Sequence, residues 1–296
     1  MVASEGFNYG STGGALAGKS GGAGFAGGWS TSNSFTYVPA GLTFGSLPTQ
    51  GGAAAFSSPA SGSTNTERPF AATLSGTTWG TYLFRIDSRS GTFNNLGLLL
   101  ASTSGQSDAN APLAISLPLN SSTTSGRVMI QFLDAAGAQN TVSGAAQQLG
   151  VGTTYMALFK IVPGSSAATA NLWLLTSNQY DLLAAGGVTE AELNAATIGS
   201  GDANVWGRAS VTANLTLNSR AYLSLFGFTG SGSLAQTVDE VRLSNSSLAE
   251  AAVPEPGATT FALGAALAVV GTARRRKRAG RAAARLAAGH PVNESR

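Results

Sequence analysis

The chain has 296 residues, of which only 10% are charged against 43% hydrophobic, and 39 are glycines. A composition this rich in Gly, Ser, Thr and Ala excludes an ordinary helical bundle and suits a single all-β domain. Cysteine is absent and the one histidine, His290, lies in the last seven residues. Thiolate or imidazole catalysis, histidine or thiolate zinc sites and disulfides are therefore excluded from the body.

The net charge of +3 is unevenly divided. Residues 1–256 hold 9 Lys or Arg against 13 Asp or Glu, a net −4, whereas residues 257–296 hold 8 against 1, a net +7. The basic pI of about 9.4 thus belongs to the tail. A body whose only lysines are Lys19 and Lys160 has no stripe able to follow a phosphate backbone, so no nucleic-acid partner is expected.

From the N-terminus, Gly22-Ala23-Gly24-Phe25-Ala26-Gly27 matches GxGxxG. No apolar strand precedes it, no helix signal follows and no acidic residue stands about 20 positions on, as dinucleotide binding requires. It reads as a flexible turn that lets Phe25 and Trp29 fold against a core. Strands are expected at Phe35–Val38, at 81–87 and at 96–101, with surface loops at 51–66 and 102–111. In the second strand Tyr82, Phe84 and Ile86 share one face, and Arg85 and Asp87 the other. Val128, Ile130 and Phe132 alternate with Arg127, Met129 and Gln131, while 155–162 is apolar on both faces apart from Lys160 and reads as more central. Residues 170–176, 209–217, 222–228 and 237–243 complete a set of about nine strands, which implies a sandwich. The one helical signal is the capping box Thr189-Glu190-Ala191-Glu192 before a short run to Ala196. Glu190 and Glu192 are two apart and do not face each other, so they read as capping residues and not as an acid–base pair.

Three groups in the body bear on function. Straight alternation places Asp239 on the face of Val241 and Leu243, pointing inward, with Glu240 beside Arg242 on the other. A buried carboxylate must be paired, hydrogen-bonded or metal-bound. Asp239 is expected to be structural, accepting from loop backbone N–H groups or pairing with an arginine. Calcium is the alternative, but no spaced Asp/Asn run of the EF-hand kind supports it, and no metal or other cofactor is expected. Trp79, Trp173 and Trp206 either stack on a sugar ring or pack in the core. The Glu-x-Asp-x-Glu pattern that sandwich glucanases place on one strand is absent.

Glu5-Gly6-Phe7-Asn8-Tyr9, Gly21-Gly22-Ala23-Gly24-Phe25 and Gly28-Trp29-Ser30, with Val238-Asp239-Glu240-Val241-Arg242-Leu243 at the far end, resemble the first and last strands of concanavalin A-like, laminin-G-type jelly-roll domains of bacterial exported proteins. The resemblance implies a two-sheet jelly roll over residues 5–248 whose terminal strands pair, with adhesive or carbohydrate-binding function. The family's calcium ligands do not correspond to identifiable positions here.

In the tail, Val253-Pro254-Glu255-Pro256 precedes an apolar run and then Arg274-Arg275-Arg276-Lys277-Arg278. Residues 249–256 are expected to form a linker, residues 257–273 a transmembrane helix of about 25 Å, and 274–296 a basic cytoplasmic tail. This order is similar to the PEP-CTERM sorting signal of exopolysaccharide-producing Gram-negative bacteria. The resemblance implies an exosortase-type processing enzyme as partner and release of the body to the cell surface or extracellular matrix; a plain membrane anchor is the alternative. Residues 279–296 extend beyond the usual end of such a signal, with Arg274, Arg278, Arg281 and Arg285 on one helical face that suits anionic lipid; an extension under no selection is the equal alternative. Export further leads to the expectation of a precursor that begins upstream of Met1 with a secretory signal, since Val2-Ala3-Ser4 resembles the end of a signal peptidase site. The leading functional expectation is a non-enzymatic, polysaccharide-binding surface or matrix protein. A carboxylate-dependent glycosidase or lyase, and a structural matrix component without ligand, are the alternatives.

Overall fold

The computed structural model describes residues 1–252 apart from 33, 59–61, 92, 108–109, 121–124, 135, 165–166, 187–188, 203 and 214–218. In chain order the strands are β1 (Ala3–Glu5), β2 (Gly14–Ala15), β3 (Phe35–Val38), β4 (Ala53–Ser58), β5 (Gly62–Leu74), β6 (Thr78–Arg89), β7 (Phe93–Ala101), β8 (Leu113–Asn120), β9 (Ser125–Leu133), β10 (Gln139–Gln148), β11 (Thr154–Val162) and β12 (Ala168–Leu175). Helices α1 (Ser177–Gly186) and α2 (Glu190–Ala195) follow, then β13 (Gly207–Ala213), β14 (Arg220–Thr229), β15 (Leu234–Ser244) and α3 (Leu248–Ala252).

The strands form a nine-stranded sheet, ordered β13-β12-β11-β6-β15-β4-β3-β2 with β1 paired to β15, and a six-stranded sheet, ordered β10-β9-β8-β7-β14-β5. The period-two alternation decides what fills the space between them. Tyr82, Phe84 and Ile86 of β6 meet Leu96, Leu98 and Leu100 of β7 and Val128, Ile130 and Phe132 of β9 in one cluster. Gly80 has no side chain because the Phe159 ring occupies the place: a Cβ there would lie 2.1 Å from it. The chain ends meet where Ala3, Ser4 and Glu5 pair with Leu243, Arg242 and Val241. The result is an all-β, two-sheet jelly-roll sandwich, with strands making up 55% of the structure and helices only 8%.

A second apolar layer covers the outer side of the nine-stranded sheet. Leu42, Phe44 and Leu47, with Tyr180 of α1, Leu193 of α2 and Leu248 of α3, pack on Trp79, Leu83, Met156, Leu158, Trp173 and Leu175. This second layer is why β6 and β11 carry apolar residues on both faces. The capping box of α2 is complete, with Thr189 Oγ1 accepting from Glu192 N and the Glu192 side chain accepting from Thr189 N.

Several expectations are corrected. The loop expected over 51–66 contains β4 and the start of β5. Ala53 and Ala54 are fully buried there, and side chains so small give no visible alternation although β4 pairs with both β3 and β15. Strands β8 and β10 and helix α1 were not anticipated, even though Leu113, Ile115 and Leu117 point into the core with period two. Strand β13 begins at Gly207, two residues before the expected start, and the expected continuation over 214–217 lies outside the described residues.

The linker expected from Ala249 begins instead as α3. Ser247 Oγ accepts from Glu250 N, Thr81 Oγ1 donates to Ala251 O at 2.8 Å, and Tyr180 OH donates to Ala252 O at 2.9 Å. Residues Val2, Ala3 and Ser4, with their likeness to a cleavage site, are part of the sandwich: Val2 N donates to Leu243 O and Ser4 exchanges two backbone bonds with Ala23.

The sorting motif Val253, Pro254, Glu255 and Pro256, the helix expected at 257–273, the cluster Arg274 to Arg278 and the tail to 296 lie outside the described residues. No helix among the described residues is long and apolar enough to cross a membrane.

Candidate functional site

Trp79 of β6 and Trp173 of β12 stack on each other with ring centroids 6.2 Å apart and planes at 17°. Lys160 Nζ lies 4.8 Å from the Trp79 ring centroid and pairs with Glu190 Oε2 at 2.6 Å, while Trp173 Nε1 donates to Asn194 Oδ1 at 3.2 Å. These two tryptophans are 7% and 0% exposed, because α2 and the apolar layer close over them. They are interior residues here, and neither ring offers a free face. Trp206 lies apart from them, half-buried beside Tyr155 at 5.9 Å.

Asp239 does not point between the sheets as straight alternation predicts. The register of β15 against β6 shifts between Asp239 and Arg242, and Glu240 has φ +51, the mark of a bulge. The extra residue puts Val238, Val241 and Leu243 all on the inner face, and turns Asp239 outward beneath the loop that begins at Gly41. Its two oxygens accept from Leu42 N at 2.8 Å and Glu240 N at 2.7 Å. Burial pushes its carboxyl up to about 8, against the opposing effect of the Leu42 N–H. Both oxygens face N–H donors, the opposite of a cation cradle, and no group of three or more metal-ligating side chains occurs among the described residues. Glu240 reaches Gln50 N at 2.6 Å and Arg242 Nη2 at 2.6 Å. The bulge cluster therefore ties three chain segments together.

The outer face of the six-stranded sheet is different in character. Residues opposite each other on paired strands share a face, so the registers set out two rows. One runs Asn65, Phe226, Gly97, Ser116, Met129, and the next Glu67, Ser224, Leu99, Ala114, Gln131. Asn95 follows beside Phe228 and Pro118. Ser116 Oγ donates to Gln131 Oε1 at 3.2 Å, while Asn95, only 2% exposed, keeps an unpartnered Oδ1. Part of this face lies under the loop after β7. Ser104 Oγ and Gly105 N donate to the Glu67 carboxylate, and Asn65 Nδ2 donates to Gln106 O at 2.9 Å. Gln106 braces the loop by accepting from Ser102 N at 2.7 Å, and Ala111 anchors its end on Leu99, Ala114 and Phe226. Most of these groups are themselves buried, Ser116 at 0%, Asn95 at 2%, Glu67 at 7% and Gln131 at 9% exposed, and of the two rows only Asn65 and Met129 are partly accessible. Glu67 is the only described carboxylate in these rows.

No protein-family model matches the chain. No curated protein matches it either. Solved structures similar to it include a LamA variant from Zobellia galactanivorans in complex with laminaritriose and laminaritetraose, 13% identical, with a TM-score of 0.38 over 66% of this chain and 79% of that one. Alginate lyase A1-II′, a member of polysaccharide lyase family 7, is 10% identical, with a TM-score of 0.38 over 65% and 79% of the two chains. Carbohydrate binding module CBM66 from Bacillus subtilis is 10% identical, with a TM-score of 0.33 over 72% and 98%. At these scores the likeness carries no argument about the site, and the fold assignment rests on the sheet orders and registers above.

The sequence left Asn65, Glu67, Asn95, Ser116 and Gln131 unmarked as a group. Their outward parity is legible strand by strand, as in Ala114 and Ser116 between Leu113, Ile115 and Leu117. Their adjacency is not, since it depends on which strands pair.

Proposed function

We propose that this chain is an exported cell-surface or extracellular-matrix protein that adheres to polysaccharide without turning it over. The observation that carries the reading is that every buried carboxylate among the described residues is already committed to a hydrogen bond or an ion pair, so that none is left as a free pair for acid–base work. Glycoside hydrolysis by the usual route uses two carboxyl groups roughly 5 to 10 Å apart across the scissile bond. Glu67 has no such companion among the described residues of its rows, and its oxygens are already held by Ser104 and Gly105. The other buried carboxylates, Glu5, Asp239 and Glu240, are committed to Arg68, to backbone N–H groups and to Arg242.

Export is read from the order Pro254-Glu255-Pro256, apolar run and Arg274 to Arg278. In this reading an exosortase-type enzyme processes an inner-membrane-anchored precursor near Val253 to Pro256 and delivers the body to the surface. A glycan array run beside reducing-end assays on the same polysaccharides tests the body's role. Retention of at least one glycan with no release of reducing ends is expected. Turnover of any bound glycan would sink the proposal.

A further inference from the structure

Most cations of the body are engaged at their charged ends. Arg68, Arg242 and Lys160 pair with Glu5, Glu240 and Glu190, Lys19 lies over the Tyr9 and Tyr37 rings, and Arg208 Nη1 donates to carbonyls at the end of α2. Arg85 of β6 differs. It stands on the outer face of the nine-stranded sheet, two residues beyond Leu83, where the second apolar layer stops. Its Nε donates to Asp87 Oδ1 at 2.6 Å, and the hydroxyl of the buried Thr237 donates to Asp87 Oδ2 at 2.6 Å. Both oxygens of Asp87 are thus engaged, whereas no bond to a described residue leaves from Nη1 or Nη2 of Arg85, whose side chain is 37% exposed.

The registers set out the floor around it. Thr154, Arg85, Thr237, Ala55, Thr36 and Ala15 follow one another across β11, β6, β15, β4, β3 and β2, about 24 Å at sheet spacing. Ser88, Ala235 and Ser57 form the next row. Ala15, Thr36, Ser57 and Ser88 are exposed, and apart from Arg85 no side chain in these two rows is larger than threonine. Such a floor is level, open to water and lined with hydroxyls, and its one arginine has the end of its fork free.

We propose that this open half of the nine-stranded sheet is where the body takes its polysaccharide, and that the ligand is acidic, with a uronate carboxylate received by Nη1–H and Nη2–H of Arg85. These two N–H groups leave the same end of the planar guanidinium side by side, the geometry that matches the two oxygens of a carboxylate. The bond from Nε to Asp87 fixes the plane of the group, so that little freedom is lost on binding. Hydroxyls of Thr154, Thr36, Ser57 and Ser88 are placed to meet those of the sugar. Because Asp87 balances the charge of Arg85, attraction acts through the contact itself and not at long range. The inference rests on the polysaccharide reading above and adds to it the face used and the charge of the ligand.

The test is binding of the full chain to immobilised polygalacturonate and polyglucuronate, each beside its carboxyl-reduced form. The basic cluster Arg274 to Arg278 is replaced by glutamine throughout, so that the tail does not attract the acidic polymers. At least one acidic polymer should be held about tenfold or more tightly than its reduced form, and Arg85→Gln should lose about that factor on the acidic polymer alone, as expected for one charge-assisted pair. Thr36→Glu, at an exposed position of the same row, leaves Arg85 in place, should also weaken the acidic polymer, and decides the matter if Arg85→Gln does not fold. No preference for either acidic polymer, or a preference undiminished in the variants, would overturn the assignment and leave the adhesive reading standing. A glycan array on which no polysaccharide is retained would overturn both.

Discussion

At the scale of single residues, Asp239 shows how burial and backbone donors compete over one carboxyl. Desolvation pushes it up to about 8, and the N–H groups of Leu42 and Glu240 pull the other way without cancelling the effect. A raised folded-state pKa means that the folded protein holds the proton more tightly than the unfolded chain. The stabilisation is then complete below the ordinary carboxyl range near 4 and drains away as pH rises to about 8. Asp239→Asn removes the titration. Urea denaturation at pH 5, 7 and 9 should show unfolding free energy falling with pH in the unsubstituted protein, by up to about 1.4 kcal/mol per pH unit inside that window, with a flatter profile in the variant. Identical profiles would show that Asp239 does not titrate there.

At the scale of elements, the loop after β7 and helix α3 each behave as attached pieces with a definable fastening. The loop is held through Glu67, whose carboxylate accepts from Ser104 Oγ and Gly105 N, and charged acceptors of this kind contribute about 1.5–3 kcal/mol. Glu67→Ala should therefore release the loop locally without unfolding the sheet beneath it, where Leu98, Leu100 and Leu225 remain packed. Hydrogen exchange read by mass spectrometry should show the amides of Ser104, Gly105 and Gln106 exchanging at least tenfold faster, with those of β7 unchanged. Equal exchange in variant and parent would mean the latch holds nothing. Helix α3 is fastened by Thr81 and Tyr180 to its last two carbonyls, and Ala252, the last described residue, directly precedes the sorting motif in sequence.

At the scale of the whole molecule, that nearness in sequence constrains processing. If an exosortase-type enzyme cuts between Val253 and Pro256, the mature protein ends within a few residues of a docked helix and keeps its entire core. Mass spectrometry of the protein recovered from its native surface should give a C-terminus in that interval and a mass lacking residues 257–296. An intact chain ending at Arg296 would favour a permanent anchor.

The whole-molecule view also separates what was legible in the sequence from what was not. Tyr82, Phe84 and Ile86, or Val128, Ile130 and Phe132, disclose a buried face because alternation is a property of neighbours in sequence. The same local character made the α2 capping box readable from four residues, and the order of prolines, apolar run and arginines in the tail readable without any fold. The all-β class follows from such signals alone. Tertiary structure decided the rest. A bulge at Asp239 and Glu240 is set by the change of β15's partner from β4 to β1, and it reversed the face that alternation assigned to Asp239. Trp79 and Trp173 were placed in the interior by α2 and by a loop some 130 residues before Trp173 in sequence. Asn65, Glu67, Asn95, Ser116 and Gln131 came to share one sheet face only because β5, β14, β7, β8 and β9 lie side by side. Adjacency of that kind depends on which distant segments bury each other's apolar faces, and no short stretch of sequence encodes it.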